Sequence, residues 1–203
     1  MTAQGPLRRA TAAQAVPGLN YTALGASVSP DVVAYPPFGF AAAEQRHRIG
    51  SGSHRYETAV RALMTWGALR SAGFGVAEVQ ADGASRTDAP RFLDDGTPWV
   101  TPGMTAVITS AEASAWAGPV KVVTVVDEPG RTGFAFGSMP GHPACMEQFV
   151  QVEHADDDGV WTTLRTVWAS SGGRFSPSAR ITAARIKRLD ERLVRALHPS
   201  NAA

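Results

Sequence analysis

The sequence predicts an α+β fold, a curved antiparallel sheet wrapped around a long C-terminal helix with a ligand cavity between them. Three observations predict it. Apolar runs of strand length between residues 104 and 169 are separated by tight-turn signals, as in an antiparallel meander. Residues 176–197 carry an apolar stripe of Ile181, Ile186, Leu189, Leu193, Val194 and Leu197 among arginines, as in an amphipathic helix. A sheet with one apolar face needs a cover, and a long amphipathic helix supplies it.

The elements follow in chain order. Residues 1–17 are small and polar without periodicity and read as a disordered tail before a single domain over 18–203. Residues 18–45 hold turn signals and aromatics. Pro36-Pro37 excludes a regular helix there, so the segment reads as extended and pinned by its aromatics. Residues 46–52 read as a short strand. Ser53 is the expected N-cap of a helix over 53–70, with Tyr56, Ala59, Val60, Leu63 and Gly67 on one face. Residues 76–81 are a further strand candidate. Asp82–Pro98, rich in Asp, Gly, Pro and Thr, reads as a long loop of the kind that forms lids.

Strands are then expected over 104–111, 120–126, 133–136, 149–154 and 160–169. Asp158-Gly159 is the best hairpin signal. In the last strand Val160, Thr162, Leu164, Thr166 and Trp168 share one face. Ser176-Pro177 starts the final helix and Pro199 ends it.

Composition narrows the function. With 203 residues and 44% apolar content the chain can bury a substantial core. Its 19 basic and 18 acidic residues leave a net charge of +1, which gives no general drive toward nucleic acid or anionic membrane. Arginine dominates over lysine, which reads as the codon bias of a GC-rich bacterium. No run approaches the ~20 apolar residues of a membrane span. Arg8-Arg9 is not followed by the apolar segment of an export signal. Cys145 is the sole cysteine, so no intrachain disulfide forms and a reducing cytoplasm is the expected location.

The most informative segment is Gly133-Phe-Ala-Phe-Gly-Ser-Met-Pro-Gly-His-Pro143, followed by Met146-Glu-Gln-Phe149. Gly and Pro make the turn, so its His is a candidate for chemistry. His142 is a candidate general acid/base, because an unperturbed imidazole gives or takes a proton near neutral pH. Glu147 shares a strand face with Phe149. Facing an apolar cavity, it would have a raised pKa and could shuttle protons; its bland role is a surface ion pair with Arg131 or Arg165. Tyr56 opens the first helix and could point its hydroxyl at a cavity mouth. Phe134, Phe136, Trp66, Trp168, Cys145 and Met146 are the candidate ligand-binding residues. Cys145 as a nucleophile beside His142 lacks further support, and the spacing matches no zinc motif. Gly50-Ser51-Gly52 lacks the third glycine of a dinucleotide fingerprint. No cofactor or metal is expected.

These motifs resemble the DUF1990 family, also called UPF0548, a family of unknown function. The matching pieces are Asn20–Gly25, Pro37–Phe40, Arg48–Gly52, the helix pattern of Tyr56, Ala59, Leu63 and Trp66, Val125–Glu128, and Gly133–Pro143 with Glu147 and Phe149. The chain departs from the family at Cys145-Met146-Glu147, where a second carboxylate is usual, and at Ser170-Ser171-Gly172, where an arginine is usual. The resemblance implies a helix-grip-like fold of the START and polyketide-cyclase kind. The function expected from all this is binding of a hydrophobic small molecule, with cofactor-independent cyclase, dehydratase or isomerase chemistry on a polyketide-like intermediate as its catalytic form. The alternatives are a non-catalytic carrier or sensor of a lipid-like ligand, and a partner-binding protein whose core is filled by its own side chains.

Overall fold

Apolar alternation and turn chemistry build seven strands and three helices among the described residues. The computed structural model describes residues 18–80, 92–110, 117–169 and 177–198. The strands are β1 (Phe40–Ser51), β2 (Gly75–Gln80), β3 (Thr105–Thr109), β4 (Gly118–Glu128), β5 (Arg131–Ser138), β6 (Met146–His154) and β7 (Gly159–Ala169). The helices are α1 (Ser53–Met64), α2 (Gly67–Ser71) and α3 (Pro177–Arg195). The tail at 1–17, loop residues 82–91 and the helix start at Ser176 lie outside the described residues.

One antiparallel sheet runs in the order β1-β7-β6-β5-β4-β3-β2. Register breaks at Arg48/Gly50, Ala77/Gln80 and Val122/Thr124 bend the strands, as bulges do. The result is a curled half-barrel with α3 on its inner side, a helix-grip-like α+β fold. β1 starts six residues earlier than the sequence suggested, because the small residues Ala41–Ala43 already pair with β7. Of the aromatics before it, Tyr21 pins the chain through Glu147, while Tyr35 and Phe38 do not. Tyr35 and Phe38 are exposed, while Tyr21 and Val32 are buried, and the segment folds into short 3-10 turns at Ala26–Val28 and Pro30–Val33.

The helix expected over 53–70 is broken. Gly52, not Ser53, caps α1, and Trp66 adopts a left-handed backbone conformation with φ 63°. For a bulky residue that conformation is costly. It turns the Trp66 ring into the core, edge-on to Phe134 and Phe136 at centroid separations of 5.0 and 5.8 Å. Gly67 follows because a Cβ there would lie 2.6 Å from the Ala62 carbonyl oxygen.

The sheet is covered on both faces. Phe134, Phe136, Met146, Val150, Leu164 and Trp168 belong to the core beneath the helices. Phe149 lies on the opposite face between the guanidiniums of Arg131 and Arg165, at 6.0 and 5.9 Å. Arg165 pairs with Glu44 at 2.6 Å and donates to the Val28 carbonyl, tying the 3-10 segment to that outer face.

Candidate functional site

Strand alternation places Gln148, Thr162 and Thr166 on the concave face, among the apolar core residues. Opposite them Asp190 projects from α3 with no exposed surface. Thr166 Oγ1 donates to the Asp190 carboxyl, with Oδ2 at 3.0 Å and Oδ1 at 3.1 Å. Gln148 Nε2 lies 2.9 Å from Thr166 Oγ1 and 3.2 Å from Asp190 Oδ1. Burial raises the Asp190 carboxyl to about 8, although the bonds from Thr166 and Gln148 pull the other way. That shift favours the protonated form at neutral pH, in which the carboxyl can donate as well as accept.

The cluster is incompletely satisfied. Within it Gln148 Oε1 is buried without a hydrogen-bond partner; elsewhere in the core Thr162 Oγ1 and Trp66 Nε1 are also buried without one. Each such atom costs ~1–3 kcal/mol. A void of about 10 Å³ lies beside the cluster, bounded by Leu69, Phe74, Ile108, Leu189 and Leu193. That is room for about one water. Phe134, Phe136, Trp66 and Met146 have at most 2% of their surface exposed, and Trp168 is buried beside them. They meet as core, not as the wall of an open chamber.

Two open grooves flank this core. One, of about 500 Å³, is lined by Tyr56, Glu57, Trp99, Asp127 and Thr132 among others. In it the Tyr56 hydroxyl is 2.9 Å from Thr132 Oγ1, and its ring stacks on His154 at 5.8 Å. The other, of about 600 Å³, lies between the end of α2 and the arginines of α3.

Glu147 does not face the core. Being odd-numbered on β6, it points to the outer face with Phe149, the side opposite Gln148 and Asp190. There it accepts four hydrogen bonds. Tyr21 Oη donates at 2.6 Å, the Gly25 N–H at 2.8 Å, the Ser27 N–H at 2.9 Å and Ser27 Oγ at 2.6 Å. Its partner is thus neither an apolar cavity nor Arg131 nor Arg165. Burial, then the adjacent carboxylate, raises the Tyr21 hydroxyl above its ordinary value, so it stays a donor. Asn20 completes this clasp: its Oδ1 lies 2.5 Å from Ser138 Oγ and its Nδ2 donates to the Ala144 carbonyl.

His142 belongs to the same brace. Its Nδ1 lies 3.0 Å from both the N–H and the carbonyl of Ala144, and its ring packs where a side chain on Gly118 would stand. Cys145 is half-buried, and its carbonyl accepts from the Ala169 N–H. His142, Glu147 and Tyr56 are not brought together. Tyr56 contacts Thr132 at the start of β5, while His142 lies beyond its end, ~20 Å along the strand.

The motifs at Asn20–Gly25 and Gly133–Glu147 therefore meet in one contact. A family model described as "Domain of unknown function (DUF1990)" matches residues 20–196. The chain belongs to the DUF1990 family. No curated protein matches it in sequence. Among solved structures, the hypothetical protein jhp0584 from Helicobacter pylori is similar with a TM-score of 0.55 at 9% identity, covering 99% of both chains. Ara h 8.0201 aligns with a TM-score of 0.45 at 10% identity, over 78% of this chain and 98% of that one. At such identities the first likeness shows the fold alone.

Sequence reasoning missed the main polar cluster of this DUF1990 protein. Asp190 had a legible signal: it lies four residues after Ile186, three before Leu193 and seven before Leu197, on the apolar stripe itself. Gln148 had none beyond its parity with Met146 and Val150.

Proposed function

We propose that this DUF1990 protein binds a small, largely apolar molecule whose polar group meets Asp190, Gln148 and Thr166. One observation carries the reading: a fully buried carboxyl sits on the core face of α3 against an amide with an unsatisfied oxygen. A core built only for stability would fill these positions with apolar side chains at no such cost. Polar groups converging within an apolar surround are the usual make-up of a small-molecule site. Entry requires α2 and α3 to part, so the ligand selects an opened conformation and its apparent affinity is reduced by the rarity of that state.

A second, catalytic reading follows from the same carboxyl. A group titrating at about 8 exchanges protons at neutral pH, as an isomerase, dehydratase or cyclase acting on a polyketide-like intermediate requires. Asp190 then takes the proton-moving role expected of Glu147, and no cofactor is called for. Cytoplasmic location is proposed from the single cysteine, Cys145, and not from the fold; no described helix is long and apolar enough to cross a membrane.

The test is native mass spectrometry of the protein incubated with a lipophilic extract of its host, against a denatured control. An adduct lost on denaturation and weakened in Asp190→Leu and Gln148→Leu supports binding. Conversion of that species, stopped by Asp190→Asn while the adduct persists, supports catalysis. Absence of any adduct from repeated extracts favours the filled core and a partner-binding role.

A further inference from the structure

We infer that the free edge of β1 is a dimer interface, at which the strand pairs antiparallel with β1 of a second copy of this chain. β1 ends the sheet, and among the described residues its one strand partner is β7. It runs the 12 residues Phe40–Ser51, and a long open edge is a template for pairing. The ladder shows which of its peptide groups are open. The Ala169 N–H bonds the Cys145 carbonyl and the Ala155 N–H bonds the Gly159 carbonyl. The odd residues of β7 therefore exchange bonds with β6, and the even ones with β1. Opposite those even residues stand Ala41, Ala43, Gln45 and His47. The peptide groups of Ala42, Glu44, Arg46 and Arg48 thus point out of the sheet, and no other described segment bonds them through its backbone.

Charge selects both the partner and the register. Charged side chains on an edge usually guard it against pairing, and a row of one sign would do so. The exposed row on β1 carries both signs: Glu44, Arg46 and Arg48. When two copies pair about a two-fold axis through Gln45, Glu44 of each stands opposite Arg46 of the other, and Arg48 stands opposite Ala42. An axis at Glu44 would set carboxylate against carboxylate, and one at Arg46 guanidinium against guanidinium. Each charge already has a partner within its own copy. Glu44 accepts from Arg165 at 2.6 Å, and Arg46 lies 3.5 Å from Glu153 with its guanidinium 4.4 Å from the Trp161 ring. Pairing joins these into one row of alternating sign: Glu153, Arg46, the partner's Glu44 and the partner's Arg165.

A second observation lies at the start of the same edge. Among the described residues, the exposed large apolar side chains other than Phe92 and Ile181 are Leu24, Val33, Tyr35 and Phe38. They belong to the segment that packs against β1 and leads into it. With the axis at Gln45, Phe38 of each copy falls level with the Gly50-Ser51-Gly52 turn of the other, where the small residues leave room for a ring. The bulge at Arg48/Gly50 ends the paired stretch there. Apolar burial at both ends of the edge then adds to about eight backbone hydrogen bonds across it. The interface does not rest on the interior ligand site.

Sedimentation equilibrium of the full chain tests the interface. Wild type should weigh twice its 21.4 kDa at micromolar concentration. Arg46→Glu sets a carboxylate against the partner's Glu44 on both sides of the axis and should weaken dimerisation at least ~tenfold. Arg61→Glu, the same charge change on α1, should leave it intact. In a Cys145→Ser background, Gln45→Cys lies on the axis with a Cα separation of ~4.5 Å. Mild oxidation with copper phenanthroline should link it into a disulfide dimer, whereas Ala43→Cys should not link. Circular dichroism separates a dissociated variant from a misfolded one. A monomeric wild type, a dimer indifferent to Arg46→Glu, or equal weakening by Arg61→Glu would overturn the interface. Linkage through Ala43→Cys, or through neither cysteine, would overturn the register and with it the charge argument.

Discussion

Gly137 stands directly opposite Glu147 across the β5–β6 ladder, and the side chain it lacks is the space that the Tyr21 ring occupies. A Cβ at Gly137 would overlap the Tyr21 hydroxyl, the group that donates to Glu147. The glycine makes the slot, the carboxylate supplies the acceptor, and the N-terminal segment closes over both.

Gly137→Ala is therefore expected to cost ~1–3 kcal/mol by overpacking. Combined with Tyr21→Phe, the loss should be smaller than the sum of the two single losses, because both act on one contact. Urea unfolding of the four proteins measures this. Strict additivity would show that ring and Cβ do not compete.

Glu147→Ala leaves the donors of Tyr21, Gly25 and Ser27 without an acceptor and should cost ~3 kcal/mol or more. Glu147→Gln should cost less. Hydrogen exchange should accelerate at the Gly25 and Ser27 amides well before it does in β5 or β6. Unchanged protection at those two amides would refute the clasp.

Phe134→Ala and Phe136→Ala each remove a fully buried ring packed on Trp66, and should cost ~3–5 kcal/mol. Chemical denaturation checks this. A loss below ~1 kcal/mol would mean that the concave space is open in solution and not filled.

Asp190 gives a pH dependence of unusual sign for an aspartate. Its carboxyl stands at about 8 in the fold against an ordinary 3.8. Between those values the folded chain holds a proton that the unfolded chain has lost, so this group's contribution to stability falls as pH rises. Below 3.8 both states are protonated and the effect vanishes; above about 8 the loss is complete. The slope within the window is up to ~1.4 kcal/mol per pH unit. Asp190→Asn should remove it. Unfolding free energies of both proteins at several pH values across the window decide; equal slopes would show that Asp190 is not buried as described.

The sheet was legible in the sequence because its strands alternate and its turns carry Gly, Pro and Asp. The face of Glu147 was not. Periodicity gives the parity of a residue, and Glu147 does share a side with Phe149. It does not say which side lies under the helices when every residue from Met146 to Val152 is buried. The break at Trp66 was hidden for a different reason. Its left-handed backbone is held by contacts with Phe134 and Phe136, some 70 residues away, and nothing local announces it. Asp190, by contrast, was legible but missed, a carboxylate inside an apolar stripe.

The pairing of β1 with β7 also sets an order of events during synthesis. Phe40 finds Ala169, and Tyr21 finds Glu147 across 126 positions, so neither can be placed until most of the chain has left the ribosome. The hairpins of β4 through β7 close over far shorter loops and can form first. Until then the N-terminal third must wait with an unpaired strand, exposed to proteases and to strands of neighbouring nascent chains.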